Sequence, residues 1–99
     1  MEPYEKICDA VYASIDDLNE AWPDLGLKRS PETVLIGPDS ALDSTSFVEL
    51  MVTAEEKIED TLGQEIHVLD ILEEVQRPRW TVRDLTEHIA ERLGLLATR

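Results

Sequence analysis

The sequence has few of the residues that make covalent cross-links and metal sites. Its 99 residues include one cysteine, Cys8, and two histidines, His67 and His88. One thiol cannot form an internal disulfide, and neither a His-x-x-x-His pair nor a cysteine cluster is present to hold zinc. We therefore predict no metal site, and we interpret Cys8 as a small packing residue rather than a reactive thiol.

Basic residues and long apolar runs are also scarce. Nine lysines and arginines stand against 22 aspartates and glutamates, which gives a net charge of −13. Such a charge repels the phosphates of nucleic acid and attracts proteins with basic surfaces. No apolar run approaches the roughly 20 residues of a membrane-spanning helix, and the first residues lack the features of a signal peptide. We expect one domain over residues 1–99, cytoplasmic and monomeric, with neither a membrane span nor a nucleic-acid partner.

Helical periodicity is the main pattern that the sequence does contain. Apolar residues recur at steps of three and four over residues 3–22, 44–61, 68–75 and 81–94. The pattern predicts an all-α fold: a four-helix bundle of three longer helices and one short third helix, with a long loop between the first two. The predicted core consists of Ile7, Val11, Ile15, Leu18, Phe47, Leu50, Ala54, Ile58, Leu62, Leu69, Leu72, Val82, Leu85, Ile89 and Leu93.

The second helical segment begins in a polar stretch, Asp43-Ser44-Thr45-Ser46. Each of these residue types can accept a hydrogen bond from the unpaired N–H groups of a first helical turn. The positive end of the helix dipole lies at the same place and favours a phosphate group. We expect Asp43 to fix the loop, and the N–H groups of residues 45–47 to be available to a phosphate-linked group on Ser44.

Residues 42–50 resemble the prosthetic-group site of acyl carrier proteins. That family commonly reads Asp-Ser-Leu and, after one or two further residues, a hydrophobic residue followed by Glu-Leu. In this chain Asp43-Ser44 matches the first pair, and Val48-Glu49-Leu50 matches the helix that follows.

Two positions depart from the family pattern, and a second stretch matches it. Thr45 stands where the family commonly has leucine, and Ser46 where an acidic residue is frequent. Residues 81–85, with the sequence Thr-Val-Arg-Asp-Leu, resemble the opening of the family's last helix, often Thr-Val-x-Asp-Leu. Because the two stretches lie in the family's order, the resemblance extends over residues 1–94.

The resemblance implies a non-enzymatic carrier that holds biosynthetic intermediates as thioesters on a 4′-phosphopantetheine arm. Ser44 would carry the arm, with Asp43 beside it. The implied partners are a phosphopantetheinyl transferase and the enzymes that load and use the acyl group, in fatty acid, polyketide or related secondary metabolism. The acidic face of the second helix is expected to dock them through Val48, Glu49, Val52, Glu55, Glu56 and Glu59.

Two alternatives stay open at the level of sequence. Asp39-Ser40 is a second Asp-Ser pair, and it lies in loop sequence before Asp43. The chain can also be read as an unmodified acidic helical module that binds other proteins, in which Asp43 or Ser44 is only a helix cap. Catalysis by this chain alone is not expected, because a small helical bundle offers little pocket.

Overall fold

The computed structural model describes residues 3–74 and 77–94 of the chain. Within these residues there are four α-helices: α1 Pro3–Ala21, α2 Ser44–Leu62, α3 Val68–Glu74 and α4 Val82–Arg92. There are also two short strands and a 3₁₀ turn: β1 Val34–Ile36, β2 Trp80–Thr81 and the turn Pro23–Leu25. The mostly helical prediction is confirmed, and the small sheet is an addition that the sequence pattern did not predict.

The helix ends follow local sequence signals. The helix α1 ends two residues before Pro23, because the residue that precedes a proline disfavours the helical region. After α2, Gly63 adopts a φ of 68°, and its N–H donates to the Glu59 carbonyl at 2.8 Å. At the start of α4 the hydroxyl of Thr81 accepts the N–H of Asp84 at 3.2 Å, and the Asp84 carboxylate accepts the N–H of Thr81 at 3.1 Å. These two bonds form a capping box.

The two strands join the segment between α1 and α2 to the start of α4. They pair antiparallel with an irregular register, in which Val34 lies opposite Thr81 and Ile36 opposite Trp80. Trp80 is only 1% exposed, so the strand β2 also contributes a large side chain to the core. The sheet therefore holds the residues that lead into α2 against the rest of the molecule.

The core forms where α1 packs against α2 and α4, and α3 contacts α2 and α4. Most of the predicted core residues are buried: Ile7, Val11, Ile15, Leu18, Leu50, Ala54, Ile58, Val82, Leu85 and Ile89. The others are half-buried and pack against the core at its edge: Phe47, Leu62, Leu69, Leu72 and Leu93. Among the described helices, none combines the length and the hydrophobicity that crossing a bilayer requires.

The short helix α3 turns a different face to the core from the predicted one. It buries Val68 and Ile71, whereas Leu69 and Leu72 are half-buried. Apolar residues lie on most sides of this seven-residue helix, so their spacing does not determine which side faces inward. Its predicted last residue, Val75, lies outside the described residues.

Candidate functional site

Ser44 is the first residue of α2 and directly follows the N-cap residue, Asp43. The Asp43 carboxylate accepts the N–H of Ser46 at 2.8 Å, and the Ser46 hydroxyl oxygen accepts the N–H of Asp43 at 3.1 Å. The Ser46 hydroxyl also lies 2.8 Å from the same carboxylate oxygen, to which it can donate. Asp43 and Ser46, which flank Ser44 and Thr45 in the sequence, therefore form a capping box at the start of α2. Asp43 fixes the loop as the sequence predicts.

The Asp43 carboxyl group keeps its negative charge more readily than an ordinary aspartate. Its pKa is lowered chiefly because the backbone N–H of Ser46 donates to it, and the Ser46 hydroxyl adds to the effect. The side chain is exposed to solvent and is ionised at neutral pH. A phosphodiester on Ser44 would gain from the positive end of the α2 dipole and would be opposed by this neighbouring carboxylate.

Two of the N–H groups that were expected to be available to a phosphate are already bonded. The N–H of Phe47 donates to the carbonyl of Asp43 at 2.9 Å, and that of Ser46 donates to the Asp43 carboxylate. The prediction of free N–H groups is therefore wrong for these two residues, because the first helical hydrogen bond and the capping box use them. The dipole of α2 remains as the backbone's contribution to phosphate binding.

The second Asp-Ser pair, Asp39-Ser40, is part of the loop structure before α2. The Ser40 hydroxyl donates to the Leu35 carbonyl at 2.9 Å and accepts the N–H of Leu42 at 3.1 Å. The Asp39 carboxylate lies 3.7 Å from the guanidinium group of Arg79. Esterification of Ser40 would remove the hydroxyl proton that it donates, and with it one of the bonds that shape this loop.

An open cleft of about 280 Å³ lies beside the start of α2. Its lining is mainly apolar and consists of Leu35, Ile36, Gly37, Ser40, Leu42, Asp43 and Phe47. Gly37 has a φ of 141°, a conformation that residues with a Cβ atom rarely adopt, and it turns the chain at the end of β1. The sequence pattern did not predict this cleft, because its walls come from β1 and the following loop, which the sheet holds beside α2.

The predicted partner residues other than Glu55 lie along the solvent side of α2. Val48 and Val52 are 44% and 42% exposed. At 3.6 residues per turn, Val48 and Val52 lie one turn apart along one side of the helix. Three carboxylates on the same exposed side belong to Glu49, Glu56 and Glu59.

Glu55 differs from the other predicted partner residues. Its side chain is half-buried, and its carboxylate accepts the N–H of Val68, the first residue of α3, at 2.8 Å. Glu55 thus supplies a cap for α3 from a helix 13 residues earlier in the chain. No local sequence signal predicts this hydrogen bond, because Glu55 and the N–H of Val68 come together only when α2 and α3 pack in the folded chain.

The sequence analysis missed Trp22 as a surface residue. Trp22 follows the last residue of α1, is 44% exposed, and its indole Nε1–H donates to the Glu49 carboxylate at 3.0 Å. Its position fits the apolar stripe of the first helix, so periodicity assigns it to packing. Glu49 is 27 residues from Trp22 in the sequence, so no local sequence pattern predicts their hydrogen bond.

Cys8 and the potential metal ligands among the described residues do not form a second candidate site. Burial raises the pKa of Cys8, which keeps the thiol protonated at neutral pH. In residues 3–74 and 77–94, no group of three or more His, Cys, Asp or Glu side chains is placed to hold a metal ion.

Comparisons with protein-family models, with curated proteins and with solved structures found no match to this chain. Its function is therefore inferred from its own residues and geometry, together with the resemblance of its two short motifs.

Proposed function

We propose that this chain is a carrier protein that holds acyl or related intermediates as thioesters on a 4′-phosphopantetheine arm attached to Ser44. The observation that carries the proposal is the position of Ser44, which opens α2 directly after the N-cap Asp43. Asp43 itself is part of the lining of the mainly apolar cleft. The resemblance of residues 42–50 and 81–85 to acyl carrier proteins supports the same assignment. Fatty acid, polyketide or related secondary metabolism would supply the intermediates.

The residues around Ser44 fit such a group. The Ser44 hydroxyl oxygen would form a phosphodiester with the phosphopantetheinyl phosphorus of coenzyme A. One P–O bond of the pyrophosphate breaks, adenosine 3′,5′-bisphosphate leaves, and the serine proton is released. The dipole of α2 favours the phosphate, and the Asp43–Ser46 capping box holds the turn that presents it. The arm supplies the thiol on which the thioester forms. The apolar side chains of the cleft can cover an apolar part of the cargo and keep it from water.

The finer features of the fold belong to the same proposal. The helices α1, α2 and α4 would be the three longer members of a four-helix bundle, with α3 as the short third helix and the segment between α1 and α2 as a long loop. We infer a non-enzymatic, cytoplasmic monomer. The net charge of −13 supports the monomer, because it makes copies of the chain repel one another.

The proposed partners are a phosphopantetheinyl transferase and the enzymes that load and use the acyl group. Basic surfaces on these enzymes would meet the carboxylates of α2, while Val48 and Val52 would supply an apolar centre. We expect the double variant Glu49→Lys with Glu56→Lys to slow modification by the transferase and to flatten its salt dependence, because rim charges mainly set the association rate.

The matched control for that experiment reverses two exposed glutamates on α4, Glu87 and Glu91, which gives the same net charge. The control variant should keep a rate closer to the wild type. Equal rates for all three proteins at low ionic strength would show that the α2 carboxylates are only solvated.

Intact-mass spectrometry tests the proposal. The apo chain is incubated with coenzyme A and a phosphopantetheinyl transferase of broad specificity, and a gain of one phosphopantetheinyl group is expected. Ser44→Ala should abolish the gain. Ser40→Ala is the matched control and should retain it, although it removes two loop hydrogen bonds.

The second candidate is an unmodified acidic interaction module. The exposed valines and carboxylates of α2 favour it, and the capping box explains Asp43 and Ser46 without any modification. If no competent transferase changes the mass of the wild-type chain, the carrier proposal fails and the interaction module stands.

A further inference from the structure

Three large apolar side chains are exposed in the described part of the chain. Trp22, Val48 and Val52 are 44%, 44% and 42% exposed. Val48 and Val52 are one helical turn apart on α2, and Glu49, the neighbour of Val48, accepts the indole N–H of Trp22 at 3.0 Å. We name these four residues the Trp22 surface. It joins the end of α1 to the exposed side of α2.

We propose that the Trp22 surface is the docking site for the transferase, and that Trp22 is its principal apolar anchor. This inference rests on the proposed function for the identity of the partner. It adds Trp22, from the end of α1, to the residues of α2 that are expected to bind the partner. Glu55 is no longer expected to bind the partner, because its carboxylate caps α3.

The chemistry of Trp22 fits an anchor. Tryptophan is enriched among the residues that dominate binding energy, because it brings a large apolar area together with a polar N–H group. Here the N–H already has its partner in Glu49, so the ring is held in place before a partner arrives. A side chain that is ordered in advance loses less conformational entropy on binding.

Charge complementarity identifies the kind of occupant. The carboxylates of Glu49, Glu56 and Glu59 lie on the exposed side of α2, and the whole chain carries a net charge of −13. A second copy of this chain would bring the same negative charge and would be repelled. The surface therefore fits a protein that presents apolar side chains within a basic rim.

Steady-state kinetics with the transferase separates docking from chemistry. Trp22→Ala should raise the KM for the carrier by about tenfold or more, which corresponds to about 1.4 kcal/mol of binding, with kcat near the wild-type value. Trp22→Phe keeps an apolar ring and loses the donated N–H, so a smaller rise in KM is expected. Glu55→Gln should leave KM unchanged, whereas Glu56→Gln should raise it.

Fluorine NMR gives a readout that a purely structural role for Trp22 would not move. The chain has two tryptophans, the exposed Trp22 and the buried Trp80, so 5-fluorotryptophan labelling gives one probe and one internal reference. Addition of unlabelled transferase should shift or broaden the Trp22 signal and leave the Trp80 signal in place. Circular dichroism of Trp22→Ala checks that the variant is folded.

The outcomes distinguish the two proposals. If the wild type is modified but Trp22→Ala has an unchanged KM, or if the Trp22 signal does not respond to the transferase, the docking inference is wrong and the carrier proposal stands. If the wild type is never modified, both are wrong, because the transferase is then not the partner.

Discussion

Replacing Glu55 with alanine should destabilise the chain through α3, although Glu55 lies on α2 among residues that face solvent. The Glu55 carboxylate accepts the N–H of Val68 at 2.8 Å, and Val68 is fully buried. Without Glu55 this N–H loses its partner at the first residue of α3. A seven-residue helix is too short to persist without tertiary contacts, so its cap and its packing have to hold it.

The size of the effect follows from the type of bond. A hydrogen bond to a charged group contributes about 1.5–3 kcal/mol, and loss of a helix cap costs about 0.5–2 kcal/mol. Because the Glu55 side chain is partly solvated, we expect the free energy of unfolding to fall by about 1.5 kcal/mol. For a domain of this size that is a drop in Tm of roughly 6–12 °C.

Thermal and urea unfolding, followed by circular dichroism, measure this change. Glu56→Ala is the matched control, because it removes one carboxylate from the next position of the same helix and should change stability by less than about 0.5 kcal/mol. Glu55→Gln keeps an acceptor oxygen, so its free energy of unfolding should fall less than that of Glu55→Ala. Equal midpoints for Glu55→Ala and Glu56→Ala would refute the cap. Unchanged hydrogen exchange at the Val68 amide in Glu55→Ala would refute it as well.

Three further predictions concern the core, the α2 cap and the thiol. Leu85→Ala should lower the free energy of unfolding by about 2–5 kcal/mol in urea titrations, because Leu85 is 1% exposed. The pKa of Asp43 is below its ordinary value, so the ionised group stabilises the fold above about pH 4, and this contribution is lost as the pH falls further. The Tm difference between wild type and Asp43→Asn should therefore shrink from about pH 6 to about pH 2; a constant difference would contradict the assignment. Since burial raises the pKa of Cys8, iodoacetamide should alkylate it more slowly than free cysteine at neutral pH, and comparable rates would show a reactive thiol.

The parts of the fold that the sequence predicts are those with local causes. The spacing of apolar residues predicts the helices, and Asp43, Gly63 and Thr81 mark ends of α2 and α4 where short-range hydrogen bonds form. Such signals depend on a few neighbouring residues and are visible without the tertiary structure. For the same reason Ser44 could be predicted as the first residue of α2.

The features that sequence analysis missed depend on contacts between distant residues. Strands of three and two residues show no usable alternation, so the pairing of β1 with β2 is invisible in the pattern. The Trp22–Glu49 and Glu55–Val68 hydrogen bonds and the cleft beside α2 arise only after the helices have packed. Ser46 matched no family residue, yet it completes the cap, since its hydroxyl donates to the Asp43 carboxylate and accepts the N–H of Asp43.

Locating the arm on the chain tests the central claim most directly. The wild-type protein is treated with coenzyme A and transferase, digested, and its peptides are sequenced by tandem mass spectrometry. We predict a phosphopantetheinyl group on Ser44 and none on Ser40, whose hydroxyl bonds the loop. An arm on Ser40, on Thr45 or on Ser46, or the absence of any modified peptide, would contradict the account.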